Sequence, residues 1–148
     1  MSTEIDQLRE NFSEIMKLIH QRTYQKSYQQ KMCPGQPKLL ALIKANEGVT
    51  QKELAERNFV KPASITEMLN KLEANQYVYR IPDESDKRIM RVYLTKEGRN
   101  LANRSERFIK GLTLKLFDGF TEDELRIFVK LTDKMRNNLQ EIGKSDDN

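Results

Sequence analysis

At 148 residues, 37% hydrophobic and 32% charged, with a mean hydropathy of −0.76, the chain has room for one domain but is polar for a monomer of its size, which suits a core completed by a second copy. No apolar run approaches the roughly 18 residues that span a bilayer, and MSTEIDQLRE carries acids where a secretory signal is basic and then apolar, so a cytoplasmic protein without membrane contact is expected. One cysteine, Cys33, and one histidine, His20, exclude an internal disulfide and a zinc cluster, while a net charge of +4 and a pI of about 9.1 permit a polyanionic partner without requiring one.

Thr3-Glu4-Ile5-Asp6 is a helix-start pattern, and Ile5, Leu8, Phe12, Ile15 and Ile19 recur with the period of one helical face, so a long first helix is predicted to about Gln30. Met32-Cys33-Pro34-Gly35 breaks it. Pro37 then takes the first position of a second helix with Leu39, Leu40, Leu42 and Ile43 apolar, and Gly48 ends that helix. From Lys17 to Lys38 the chain carries five basic residues, Lys17, Arg22, Lys26, Lys31 and Lys38, and no acid, which is either a solvated helix face or a contact for phosphate.

Thr50-Gln51-Lys52-Glu53 is a capping box, in which the Thr50 hydroxyl accepts from the backbone N–H three residues on and Glu53 reaches back to the N–H of Thr50. A short third helix with Leu54 and Ala55 follows. Pro62 marks the start of a fourth, whose buried stripe is Ile65, Met68, Leu69 and Leu72 and whose outer face is small and polar: Ala63, Ser64, Thr66, Glu67, Asn70 and Lys71. Tyr77 to Ile81 and Ile89 to Leu94 are β-branched and aromatic around a polar tip from Pro82 to Arg88, an antiparallel hairpin with Met90, Val92 and Leu94 on its inner face. Thr95 caps a long fifth helix with Leu101, Phe108, Ile109, Leu112 and Leu116. Gly119 interrupts, and a second capping box, Thr121-Glu122-Asp123-Glu124, starts a last amphipathic helix through Ile142.

Two short helices, a polar-faced second member and a hairpin with basic residues at its tip form the order of a winged helix-turn-helix. The physics suits duplex DNA: a helix fits the major groove, and a projecting arm follows the backbone or enters the neighbouring minor groove. Over nearly the whole chain the residues resemble the MarR (multiple antibiotic resistance regulator) family of transcription regulators. The resemblance is carried by GQPKLLALIKANEGVTQKELAERN (35–58), SITEMLNKLEANQYVYR (64–80) and DESDKRIMRVYLTKEG (83–98). In the last, Asp86, Arg88, Leu94, Thr95 and Gly98 occupy the places of the family's wing signature.

This resemblance implies a mainly α fold with a small antiparallel β-hairpin wing. Dimerisation helices lie at 1–34 and 99–143, the winged helix-turn-helix at 35–98, and a disordered tail at 144–148. It further implies a homodimer on one pseudo-palindromic double-stranded DNA operator, acting as a repressor. Arg88 would be the wing arginine at the minor groove, braced by Asp86, with Lys87 beside it. Ser64, Thr66, Asn70 and Lys71 would meet the major groove, with Ala63 and Glu67 on the same face and Lys61 at a phosphate.

Many members have an arginine at Glu67, an aspartate at Asn70, an arginine at Lys71 and a glycine at Gln76. Glu67 either accepts from a cytosine amino group or restrains Lys71 four residues on. From Asn58 to Arg91 six basic residues face five acids, so phosphate neutralisation must also draw on the Lys17–Lys38 run and on a second subunit.

The resemblance also suggests release by a small, often phenolic effector. His20, Tyr24 and Tyr28 form one stripe of the first helix and are the candidates for it, with inter-subunit packing or a wet surface as the plain alternative. Cys33 is a redox candidate with Lys31 and Lys38 nearby in sequence, against the plain alternative of an ordinary thiol. No nucleophile, base and oxyanion donors assemble and no cofactor motif is present, so an enzyme is not expected. The rival is a winged-helix adaptor for protein or RNA, which would expose an apolar patch on the fourth helix.

Overall fold

The computed structural model describes residues 2–29, 32–33, 35–58 and 60–145. Six helices and three short strands follow in the order α1 (Ser2–Gln29), α2 (Gln36–Ala45), β1 (Val49–Thr50), α3 (Gln51–Asn58), α4 (Pro62–Ala74), β2 (Val78–Pro82), β3 (Met90–Leu94), α5 (Lys96–Leu116) and α6 (Glu122–Ser145). The chain divides into two compact units after Ile109.

In the first unit the starts of α2 to α5 carry the chemistry their sequence offers. Gly35 takes the left-handed φ of 87° that precedes α2. Thr50 and Glu53 close the reciprocal box, with Thr50 N–H donating to the Glu53 carboxylate at 2.8 Å and Glu53 N–H donating to Thr50 Oγ1 at 3.2 Å. Those bonds hold the Glu53 carboxyl below its ordinary range. Pro62 opens α4, and Thr95 Oγ1 accepts from Gly98 N–H at 3.0 Å to open α5.

Leu39, Leu40 and Ile43 of α2, Leu54 of α3, Ile65, Leu69 and Leu72 of α4, Val78 and Val92 of the sheet and Leu101 of α5 form one buried core. Each such side chain contributes about 1.5–3 kcal/mol by leaving water. This unit therefore holds α2 to α4 and the sheet at fixed angles.

The sheet is the main departure from expectation. A hairpin of two strands was expected at 77–81 and 89–94; the first lies one residue further along at both ends, the second starts one residue later, and β1 adds a third strand, giving the order β1-β3-β2 with every pair antiparallel. Val49 pairs with Val92 and Thr50 with Arg91. Two residues are too few to show an alternating pattern, so Thr50 is legible only as a cap. Strand β2 pairs Tyr79 with Tyr93 and Arg80 with Val92, and the two tyrosine rings stack at 5.4 Å.

In the second unit the loop at Gly119 (φ 83°) leads to the second capping box, where Thr121 N–H donates to Glu124 at 2.8 Å and Glu124 N–H returns the bond at 3.3 Å. Phe117, Phe120 and Phe128 meet edge to face at centroid distances of 5.6 to 6.3 Å. Helix α6 runs to Ser145, beyond the boundary at 143, and 146–148 lie outside the described residues.

Candidate nucleic-acid interface

Helix α4 presents two chemically different faces. Ile65, Leu69 and Leu72 are at most 1% exposed, while Ala63, Ser64, Thr66, Glu67, Asn70 and Lys71 are all exposed, as is Lys61 at the N-cap. The outer face carries no large apolar side chain. Its polar groups are not all free: Lys71 Nζ donates to Glu67 at 2.8 Å, so of the two sequence readings of Glu67 the structure has the helical pair. That contact lowers the Glu67 carboxyl and raises the Lys71 ammonium, which also feels the exposed Cys33. Thr66 Oγ1 donates to the Pro62 carbonyl at 3.1 Å and accepts from Gln51 Nε2 at 3.5 Å.

Beside α4 stands the wing. Arg88 projects with 90% of its side chain exposed, yet its direction is fixed: Nε donates to Asp86 Oδ1 at 3.1 Å and Nη2 to Oδ2 at 3.2 Å, while its own N–H donates to Oδ1 at 3.0 Å. A bidentate pair of this kind orients a guanidinium and keeps its outer N–H groups for another acceptor. The Arg88 contacts hold the Asp86 carboxyl below its usual range. Lys87 is exposed at the same tip.

The sequence reading missed the residues that hold this tip and helix in place. Asp83, only 7% exposed, accepts from Ser85 Oγ at 2.5 Å, Ser85 N–H at 2.9 Å and Asp86 N–H at 3.1 Å, and from Arg91 Nε. Arg91 continues to the Gly48 carbonyl at 2.9 Å, tying the wing to the turn before β1. The Ser85 hydroxyl, then Arg91, then the two backbone N–H groups push the Asp83 carboxyl far below the ordinary carboxylate value.

Arg80, with 17% of its side chain exposed, reaches three residues on two helices. Nε donates to Glu73 Oε2 at 3.2 Å, Nη1 to Gln51 Oε1 at 3.2 Å and Nη2 to Asn70 Oδ1 at 2.9 Å, with a further contact from Nη2 to Glu73. The Arg80 contacts lower the Glu73 carboxyl. A signal for Arg80 existed: it shares the inward side of β2 with Val78, and an arginine at an inward strand position demands a carboxylate.

The effector candidates lie elsewhere. His20 and Tyr24 stack at 6.4 Å, and Tyr24 and Tyr28 are 49% and 77% exposed. A crevice of about 30 Å³ opens on the neighbouring face of α1, lined by Thr23, Lys26, Ser27, Pro37, Ser105, Phe108 and Ile109. That volume holds about one water. Cys33 is exposed, and its N–H donates to the buried Gln36 Oε1 at 2.9 Å. Among the described residues no cluster of His, Cys, Asp and Glu has the makings of a metal site, and no helix is long and apolar enough to cross a membrane.

A family model described as MarR family matches residues 34–90, which hold α2 to α4, β2 and the wing tip. The HTH-type transcriptional regulator TtmR of Methylorubrum extorquens is 31% identical over 104 residues, 68% of this chain and 51% of that protein. An uncharacterized HTH-type transcriptional regulator of Bacillus subtilis, YybA, is 28% identical over 106 residues, 72% of this chain and 71% of its own. In fold, the chain is similar to Streptococcus pneumoniae FabT, solved in complex with DNA, at a TM-score of 0.79 over 96% of this chain and 99% of that one, with 22% identity. Residues 34–90 carry the match to the MarR family, and the fold is shared with FabT.

Leu94-Thr95-x-x-Gly98 is one part of the stretches that carry the MarR resemblance, and the structure gives that run a physical account. Leu94 is in the core, Thr95 caps α5 while its hydroxyl donates to the Gln76 carbonyl at 2.6 Å, and its N–H donates to the Tyr77 carbonyl at 3.1 Å. At Gly98 any Cβ would fall on that same Tyr77 carbonyl. The signature is thus the joint that seats α5 on the turn between α4 and β2. The chain spans about half of TtmR.

Proposed function

We propose that this chain is a sequence-specific, duplex-DNA-binding transcription regulator, a cytoplasmic repressor that binds a pseudo-palindromic operator as a homodimer. The observation that supports this reading best is the pairing of α4's outer face, polar and without a large apolar side chain, with a wing arginine that is 90% exposed and yet held by Asp86. An adaptor for protein would place an apolar patch on α4. In this reading α4 lies in the major groove with Ser64, Thr66 and Asn70 toward base edges and Lys61 at a phosphate. Arg88 borders the minor groove, where a narrow A·T-rich segment concentrates negative potential.

Pairing is supported by apolar surface that a lone chain leaves in water. On α1, Ile5, Leu8 and Leu18 are 61%, 54% and 52% exposed; on α6, Ile127, Leu139 and Ile142 are 58%, 69% and 57% exposed. Such stripes mark helices that pack on another copy. Two copies also double the cationic groups available to phosphate.

The test is fluorescence anisotropy on duplexes selected from a random pool, read at several salt concentrations. Wild type is expected to bind with log affinity falling linearly in log salt, and Arg88→Ala to lose about 1–3 kcal/mol. Affinity that ignores salt, or an Arg88→Ala variant that binds as well as wild type, contradicts the reading.

A further inference from the structure

We infer that Arg80 decides what Asn70 reads: by holding the amide oxygen of Asn70, it turns the amide N–H groups to the groove and makes this position a detector of hydrogen-bond acceptors on base edges. The inference rests on the proposed reading of α4 as the groove helix and adds the chemistry of one of its contacts.

An asparagine amide has an acceptor end and a donor end, and free rotation lets it present either or both. When both are free it pairs bidentately with adenine, giving one N–H to N7 and taking one from N6. Here one end is not free. A guanidinium is donor only, so the Asn70 atom that lies 2.9 Å from Arg80 Nη2 must be Oδ1. Asn70 Nδ2 is left on the exposed outer face with no partner among the described residues.

Arg80 is itself unable to swing away. It is tied to Glu73 one turn along α4, its Nη1 is spent on Gln51 of α3, and β2 fixes its backbone. Gln51 in turn leans on Thr66, whose hydroxyl proton is used within α4. The network therefore crosses from the sheet through both helices of the motif and ends at one groove-facing amide. Guanine, with N7 and O6, gives such an amide two acceptors; thymine O4 and adenine N7 give one each, adenine losing the second half of its pair, and cytosine offers only a donor.

The experiment uses the full chain and a duplex selected by wild type, with each base pair replaced in turn and binding read by anisotropy. Asn70→Ala first identifies the position, as the one in each half-site where preference becomes level. At that position wild type is expected to favour guanine over adenine by about fivefold to tenfold, the worth of one hydrogen bond. Asn70→Asp keeps the acceptor for Arg80 and removes the donor; because its added charge repels phosphate at every position alike, the readout is the preference ratio, which should fall to near one. Arg80→Met frees the amide and should move the preference toward adenine, with circular dichroism confirming its fold. Should Arg80→Met fail to fold, Asn70→Asp decides alone.

A wild type that favours adenine there, an Asn70→Asp variant that keeps the wild-type ratio, or a folded Arg80→Met variant with unchanged preference overturns the inference. If wild type binds no duplex at all, the proposed function fails, and that failure is seen before any variant is made.

Discussion

Gln76 stands in the left-handed region at φ 61°, the only non-glycine among the described residues to do so. It is the residue after the C-cap of α4, and the bonds from Gln76 N–H to the Glu73 carbonyl (2.9 Å) and from Tyr77 N–H to the Leu72 carbonyl (2.9 Å) form the Schellman pattern that favours glycine there. A side chain in that region is disfavoured by about 1–2 kcal/mol, partly offset by the greater chain freedom that glycine loses on folding. Gln76→Gly is expected to stabilise the protein by about 0.5–1 kcal/mol in urea unfolding. The contrasting case is Gly98→Ala, which sets a methyl group against the Tyr77 carbonyl and should destabilise by more than about 2 kcal/mol. At this scale the sequence was legible where partners are neighbours, as with Asp86 and Arg88. The partners of Arg80 were not legible, because they lie 7, 10 and 29 residues away and only folding gathers them.

Among the elements, the wing and the capped helices carry separate tests. Asp83 organises the wing through a carboxylate whose folded pKa is depressed, so its stabilisation is complete above the ordinary carboxylate value and is lost as pH falls below about 4. Asp83→Asn should therefore lower stability at neutral pH and flatten its decline between about pH 4 and pH 2, as measured by denaturant midpoints across that range. A decline as steep as that of wild type would show that Asp83 has no part in it. Thr50→Ala removes one half of the box at α3 and should cost about 1 kcal/mol. Both capping boxes could be read from the sequence because their chemistry is complete within four residues. Strand β1 could not, since Val49 and Thr50 become a strand only where the free edge of β3 meets them.

For the molecule as a whole, composition already hinted at the assembly. A chain of mean hydropathy −0.76 that still exposes Leu139, Ile142 and Ile5 to water has placed its apolar stripes where its own core does not use them. The order of elements could be read from periodicity and caps, and the resemblance to the MarR family from the wing signature; how the wing and α4 are braced could not, because it depends on charges brought together across the sheet. The binding claim likewise depends on pairing, since the balance of six basic and five acidic residues from Asn58 to Arg91 leaves one module little excess charge with which to hold a polyanion. The most direct measurement is sedimentation velocity of the full chain mixed with a selected duplex at near-physiological salt. The account predicts one complex with two chains per duplex, on half-sites about one helical turn apart, which Arg88→Ala disperses at the same concentrations. A single chain per duplex, or duplex that sediments alone beside unbound protein, would contradict it.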